Sequence, residues 1–193
     1  MRDLLRTLCL LLLLAPPVIA TPDLQLLDLE GKMTRPFVGQ HCVDAAPKAV
    51  VFIFLSNACP LANRYAPEIQ RLHEKFYPKG VTFWLIYADP DESPEEIGQN
   101  VRDYGYTCGV LRDPKHELVK LAEVRVTPEA ALFRPDGKLV YRGRIDNRYE
   151  DFGKQRSRAT KRDLQDAIQA VLAGKLVRTS QTKAVGCYIA GLQ

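Results

Sequence analysis

Val50-Val51-Phe52-Ile53-Phe54-Leu55 is a continuous apolar run rich in β-branched and aromatic residues, and Val81 to Tyr87, interrupted only by Thr82, is a second. A strand with one wet face alternates polar and apolar residues, whereas a strand without alternation is buried on both faces. Between the two runs, Tyr65, Ile69, Leu72 and Phe76 recur at helical spacing, and the pattern stops at Pro78-Lys79-Gly80. A buried strand, a helix and a second buried strand predict a parallel pair joined by a right-handed crossover. Pro67 lies inside the helical pattern and predicts a kink there.

The rest of the chain extends this unit. Leu24 to Leu29 followed by Glu30-Gly31 reads as a short hairpin at the start of the domain. Ser93-Pro94-Glu95-Glu96 predicts a helix start with Ser93 as N-cap, Pro94 at N1 and Glu96 at N3, running to about Tyr104. Gly109–Arg112 reads as a strand and His116–Ala122 as a helix. Ala130–Phe133 and Lys138–Tyr141 flank an Asp136-Gly137 hairpin turn. Thr160 with Asp163 is expected to cap a last helix ending at Gly174. Residues 144–159 read as a polar loop and 175–193 as a tail without periodicity. The order is β-α-β-α-β-α-β-β-α, an α/β fold with an antiparallel hairpin near its end. At 193 residues and 46% hydrophobic composition, one domain (21–174) with a full core is expected.

The first twenty residues follow a different logic. Arg2 and Arg6 precede an almost pure leucine run at Leu8–Leu14, and Val18-Ile19-Ala20 places small residues at a cleavage site. This is the pattern of a signal peptide over 1–20, cleaved after Ala20. An uncleaved membrane anchor is the rival reading. The flank Arg6-Thr7-Leu8 does not suit lipidation of Cys9. Export to a periplasmic or extracellular space, with no membrane span after cleavage, is the expectation. Cys42, Cys59, Cys108 and Cys187 then remain in a compartment where disulfides form. Four cysteines allow three full pairings.

Other classes find little support. The formal net charge of +4 draws on Lys154, Arg156, Arg158, Lys161 and Arg162. No aromatic residues are interleaved with them, so a solvated loop is expected and no nucleic-acid partner. No C-x-x-C, H-E-x-x-H or paired His/Cys spacing marks a metal site. His41-Cys42 alone supplies only two ligands, and His73 and His116 read as structural or solvated.

One constellation carries chemistry. The first apolar run ends at Ser56-Asn57-Ala58-Cys59-Pro60, which places a cysteine at the start of a helix. Thr127-Pro128 and Phe133-Arg134-Pro135-Asp136-Gly137-Lys138 follow. Together with Pro67, these resemble the redoxin superfamily, in particular the alkyl hydroperoxide reductase/thiol-specific antioxidant group and its exported thiol-disulfide relatives. The resemblance covers about residues 24–174. It implies a thioredoxin-like fold, a central mixed sheet flanked by helices, with the N-terminal hairpin as an extension and an inserted α-β unit. It also implies a cis Pro128 beside the active cysteine. The chain departs from the pattern it resembles at Ala62, where a C-x-x-C pair would place its second cysteine. The threonine of the peroxidatic motif is replaced by Cys59 itself, and the proline of that motif by Leu55.

The resemblance implies that Cys59 is the reacting thiol, with Pro60, Thr127 and Pro128 lining the substrate side. A helix N-terminus favours the thiolate, and Arg64 adds a positive charge if it folds back. Cys187, in Val185-Gly186-Cys187-Tyr188-Ile189, is the leading candidate for a resolving thiol, with Tyr188 and Ile189 anchoring the tail. Cys108 is expected to be buried. Partners are then a disulfide, thiol or peroxide substrate and an external reductant, with no cofactor. The competing readings are a peroxidase acting through Cys59 and a noncatalytic peptide-binding module. A copper chaperone is weaker, because Asn63 stands where the second cysteine of C-x-x-x-C would be.

Overall fold

A computed structural model of the chain describes residues 22–38 and 47–192. The expected leader, Cys9, His41 and Cys42 lie outside the described residues. In chain order the elements begin with β1 (Leu26–Leu27), β2 (Met33–Thr34), β3 (Ala49–Leu55), α1 (Pro60–Arg64) and α2 (Ala66–Phe76). They continue with β4 (Val81–Tyr87), α3 (Pro94–Asp103), β5 (Gly109–Arg112), α4 (Glu117–Ala122), β6 (Val126–Thr127) and β7 (Glu129–Phe133). The last are β8 (Leu139–Gly143), β9 (Tyr149–Asp151), β10 (Lys154–Gln155), α5 (Asp163–Leu172) and β11 (Cys187–Tyr188).

The main sheet runs β2-β1-β5-β4-β3-β7-β8. The two apolar runs are its centre: β3 and β4 are parallel from Ala49↔Val81 to Leu55↔Tyr87, and every residue in both is buried. Strand β5 adds parallel to β4, while β7 and β8 add antiparallel on the other side. The N-terminal hairpin extends the far edge through Leu27↔Arg112.

Because side chains alternate along a strand, β3 feeds two cores. Val51, Ile53 and Leu55 pack with Ile69, Leu72, Phe76, Leu164 and Ile168 of α2 and α5. Val50, Phe52 and Phe54 pack with Leu118 and Val119 of α4. Phe37, Phe52 and Phe133 meet edge to face at 5.3–5.5 Å in this second core, the favoured geometry for aromatic rings. Burying one such aliphatic or aromatic side chain stabilises by about 1.5–3 kcal/mol, so the central strands fix the position of whatever follows them.

Local signals account for the helix ends. Ser93 and Glu96 form a reciprocal capping box, with Pro94 in the first turn. The Pro67 kink is a full break: Tyr65 ends α1 and begins α2. Proline has no N–H to offer the carbonyl four residues earlier.

Two expectations fail. Thr160 does not cap α5, whose N-cap is Arg162 with no side-chain bond. Asn147 captures Thr160 instead, through its hydroxyl and its N–H, both at 2.8 Å. The 144–159 segment is not simply a solvated loop either. Ile145, Asp146, Asn147 and Tyr149 are buried, and Tyr65 Oη donates to Asp146 Oδ1 at 2.8 Å. Its buried polar residues, Asp146 and Asn147, are satisfied from within the fold, while 150–158 are exposed. The C-terminal segment follows β8, where Arg142 bonds to Ser180 and Thr182, and then crosses to pair as β11 with β6.

Candidate active site

Cys59 stands where β3 has delivered the chain through Ser56-Asn57-Ala58 and α1 begins. It is the N-cap residue, in extended conformation, with Pro60 in the first turn. Its N–H donates to Ser56 O at 3.2 Å and its carbonyl accepts Asn63 N–H at 3.2 Å. The side chain is fully buried.

Three elements converge on the sulfur. The Thr127–Pro128 bond is cis, and Cys59 Sγ donates to Thr127 O at 2.9 Å. Strand β11 pairs antiparallel with β6, in the register Cys187↔Thr127 and Tyr188↔Val126. That pairing sets the Cys187 side chain beside Cys59, close enough for each thiol to shift the ionisation of the other. Both sulfurs are free. Cys59, Thr127, Pro128 and Cys187 therefore meet in one place.

Gly186 allows this meeting. A Cβ there would collide with the Thr127 carbonyl and press on Pro128 N, so any larger residue would lift the segment from the loop. Ile189 anchors the far side: it is buried, and its N–H donates to Arg125 O at 3.1 Å. Tyr188, expected to help, is 86% exposed. The alternation of a strand turns it away while Cys187 and Ile189 face the protein.

The two thiols are poised in opposite senses. Burial raises the Cys59 pKa, but bonds from the Cys187 thiol, Ala62 N–H, Cys187 N–H and the Thr127 hydroxyl outweigh it, and the net shift is downward. Cys187 is pushed up to about 11, by burial, by its hydrogen bond to Cys59 and by the charge there. Of the two, Cys59 is the thiol that ionises more readily and Cys187 the one that holds its proton. Ionisation exchanges the donation to Thr127 O for acceptance from these donors. Ala62, where a second cysteine was missing, contributes through its backbone.

The expected contribution of Arg64 is not realised. It is not among the groups acting most strongly on Cys59 and instead lines a cleft of about 820 Å³ with Asn57, Ala58, Pro60 and Asn63. Helix α1 is also only five residues long. Individual donors at the sulfur, rather than a long helix, favour the thiolate.

Cys108 is buried, as expected, and pushed up to about 12 by that burial. His73 contacts Thr107 at 3.0 Å and His116 contacts Ala88 O at 2.9 Å, both structural. Sequence reasoning missed Glu92, a buried carboxylate that holds the turn before Cys59. Its position in Asp89-Pro90-Asp91-Glu92-Ser93 reads as a solvated acidic loop. Among the described residues, no group of three or more His, Cys, Asp or Glu is placed to hold a metal, and no helix is long and apolar enough to cross a membrane.

Residues 20–142 match the AhpC/TSA family. The chain belongs to that family. A thiol-disulfide oxidoreductase ResA from Bacillus thuringiensis subsp. konkukian is 28% identical over 119 residues, 62% of this chain and 64% of the relative. The chain thus spans slightly less than two thirds of the length of that relative. A hypothetical protein from Sinorhizobium meliloti superposes with a TM-score of 0.71 at 28% identity, covering 86% of this chain and 89% of the other. A secreted Mycobacterium tuberculosis disulfide oxidoreductase, homologous to Escherichia coli DsbE, shares the fold at a TM-score of 0.51 and 18% identity, with 78% and 95% coverage. The fold is thioredoxin-like, with a central mixed sheet flanked by helices.

Proposed function

We propose that this AhpC/TSA-family chain is an exported thiol-disulfide oxidoreductase that reacts through Cys59 and resolves through Cys187. The observation that carries the reading is the contact between two free thiols with opposed proton affinities, across a cis-proline loop. The ResA relatives and the fold shared with a secreted disulfide oxidoreductase support the reaction class and the compartment. The leader pattern over 1–20 supports export independently.

The chemistry is an exchange in two steps. The Cys59 thiolate attacks one sulfur of a substrate disulfide, forms a mixed disulfide and expels the other sulfur as a thiolate, which takes up a proton. Cys59 no longer carries charge, so the electrostatic hold on the Cys187 proton is released. Cys187 loses that proton to solvent, attacks Cys59 Sγ and expels the second substrate sulfur. The substrate gains two electrons and the protein is left with a Cys59–Cys187 disulfide, which an external dithiol reduces. Every step also runs in reverse. Thr127 and Pro128 flank the reacting sulfur on the substrate side, and Pro60 borders the neighbouring cleft.

Exchange with a small aromatic disulfide tests the assignment. The wild type is expected to release about two thiols per chain from this site, and Cys187→Ser about one, retaining the mixed disulfide on Cys59. Cys59→Ser should lose the fast release and react only slowly, through Cys187. A Cys59→Ser protein that reacts at the wild-type rate would refute the reading.

A further inference from the structure

Glu92 lies in the turn between β4 and α3 and is only 8% exposed. Its Oε1 accepts from the Ser56 hydroxyl at 2.8 Å and from Asn57 N–H at 2.6 Å. Ser56 in turn supports Cys59. Its carbonyl accepts the Cys59 N–H at 3.2 Å, and its hydroxyl oxygen accepts Ala58 N–H at 3.3 Å. The opposite side of the turn is held by the Asn63 amide, with the Tyr87 phenol and the Asn100 amide behind it. Asn63 Nδ2 donates to Asn57 O at 3.1 Å, and Tyr87 Oη donates to Asn100 Oδ1 at 2.8 Å behind it. Glu92 is the ionisable group in this clamp, yet its Oε2 is buried without a partner, as is Asn57 Oδ1. A buried acceptor without a donor is costly, and more so when it carries charge.

We propose that Glu92 is a positioning residue for Cys59, and that its unpartnered Oε2 takes up a proton that switches the 56–59 turn between a tight and a loose grip. The inference rests on Cys59 being the reacting thiol. As a carboxylate, Glu92 holds Ser56 and Asn57 through charge-assisted bonds, which are stronger than neutral ones. As a carboxylic acid, it keeps the same acceptor in weaker form, while Oε2–H supplies a donor where two acceptors had none.

The surroundings favour proton uptake above the ordinary carboxylate range. Burial is the largest cause and the charge of Asp89 adds to it, against the bonds from Ser56, Asn57 and Ala58. Asp91 and, from α3, Glu96 and Asp103 line the same cavity of about 470 Å³. Arg112 of β5 donates to the Glu92 main-chain carbonyl at 3.2 Å, not to its carboxylate. From β4, the Tyr87 phenol feels the Glu92 charge.

The test is the rate at which Cys59 reacts with dipyridyl disulfide, followed residue by residue by mass spectrometry from about pH 4 to about pH 9 and divided by the thiolate fraction. In the wild type, this rate per thiolate is expected to fall about fivefold in acid, with an inflection above the usual glutamate value of about 4.3. Glu92→Gln keeps the acceptor but cannot ionise. It should show a flat profile at the slow, acid level. Asp91→Asn should keep the inflection. Should Glu92→Gln retain the inflection, or lie below the wild type by one constant factor at every pH, the role is merely structural and the proposal fails. An inert Cys59 in the wild type would instead overturn the assignment of the reacting thiol, and this inference with it.

Discussion

Cys59 and Cys108 are both buried beside strands of the same sheet, and they differ in almost everything that matters for reactivity. Cys108 precedes β5 within the larger core, and burial pushes it up to about 12. Cys59 is more deeply buried, yet its pKa is shifted down, because four donors from α1, the cis-proline loop and the C-terminal segment reach its sulfur. Burial alone makes a cysteine inert, whereas burial with preorganised donors makes it a thiolate. The difference lies in the backbone and hydroxyl groups that the fold aims at each sulfur.

The largest expected contrast is functional. Cys59→Ser should abolish fast disulfide exchange, whereas Cys108→Ser should leave its rate within about twofold. Equal loss in both variants, measured by thiol release, would erase the distinction.

Next comes selectivity toward alkylation. A thiol ionises as pH rises through its own pKa, so Cys59 should become reactive below the free-thiol value of about 8.5, and Cys108 only in strong alkali. At neutral pH their thiolate fractions should differ by about a thousandfold or more. Site-resolved iodoacetamide labelling across pH checks this, and comparable rates at neutral pH would contradict the account.

The third expectation concerns cover rather than charge. Gly186→Val should displace Val185–Ile189 from Thr127 and raise the access of neutral alkylating reagents to Cys59 by about tenfold, while slowing the cross-link to Cys187. Cys108 serves as the internal control and should not change.

The smallest effect belongs to Thr127→Val, which removes a hydroxyl that donates to the Cys187 carbonyl at 3.5 Å and is the weakest of the groups that lower the Cys59 pKa. The Cys59 pKa should rise by less than about one unit. A larger rise would mean that the threonine, and not Cys187 with Ala62, dominates the site.

Much of this architecture was legible in the sequence because it rests on local or strongly patterned signals. The two unalternating apolar runs placed the central strands, Ser93-Pro94-Glu96 placed a helix start to the residue, and Pro67 marked the break in the helix after Cys59. The site was legible in part. Gly186 beside Cys187 hinted at close approach, but the choice of Ile189 over Tyr188 as anchor depends on strand register, which no local signal sets. Thr160 resembles a cap in the sequence because its competitor, Asn147, is a tertiary partner. Glu92 was hidden for the same reason. Its burial comes from packing against the 56–58 turn, while its immediate neighbours are acidic and proline residues typical of a wet loop.

The central claim is that Cys59 and Cys187 form one redox pair, and peptide mapping of the oxidised protein tests it most directly. After treatment with a small disulfide and removal of excess reagent, the digest should contain a Cys59–Cys187 cross-linked peptide, with Cys108 still free. The cross-link should disappear on reduction and be absent from Cys187→Ser. Finding Cys187 unmodified while Cys59 is bonded to another cysteine of the chain would contradict the account.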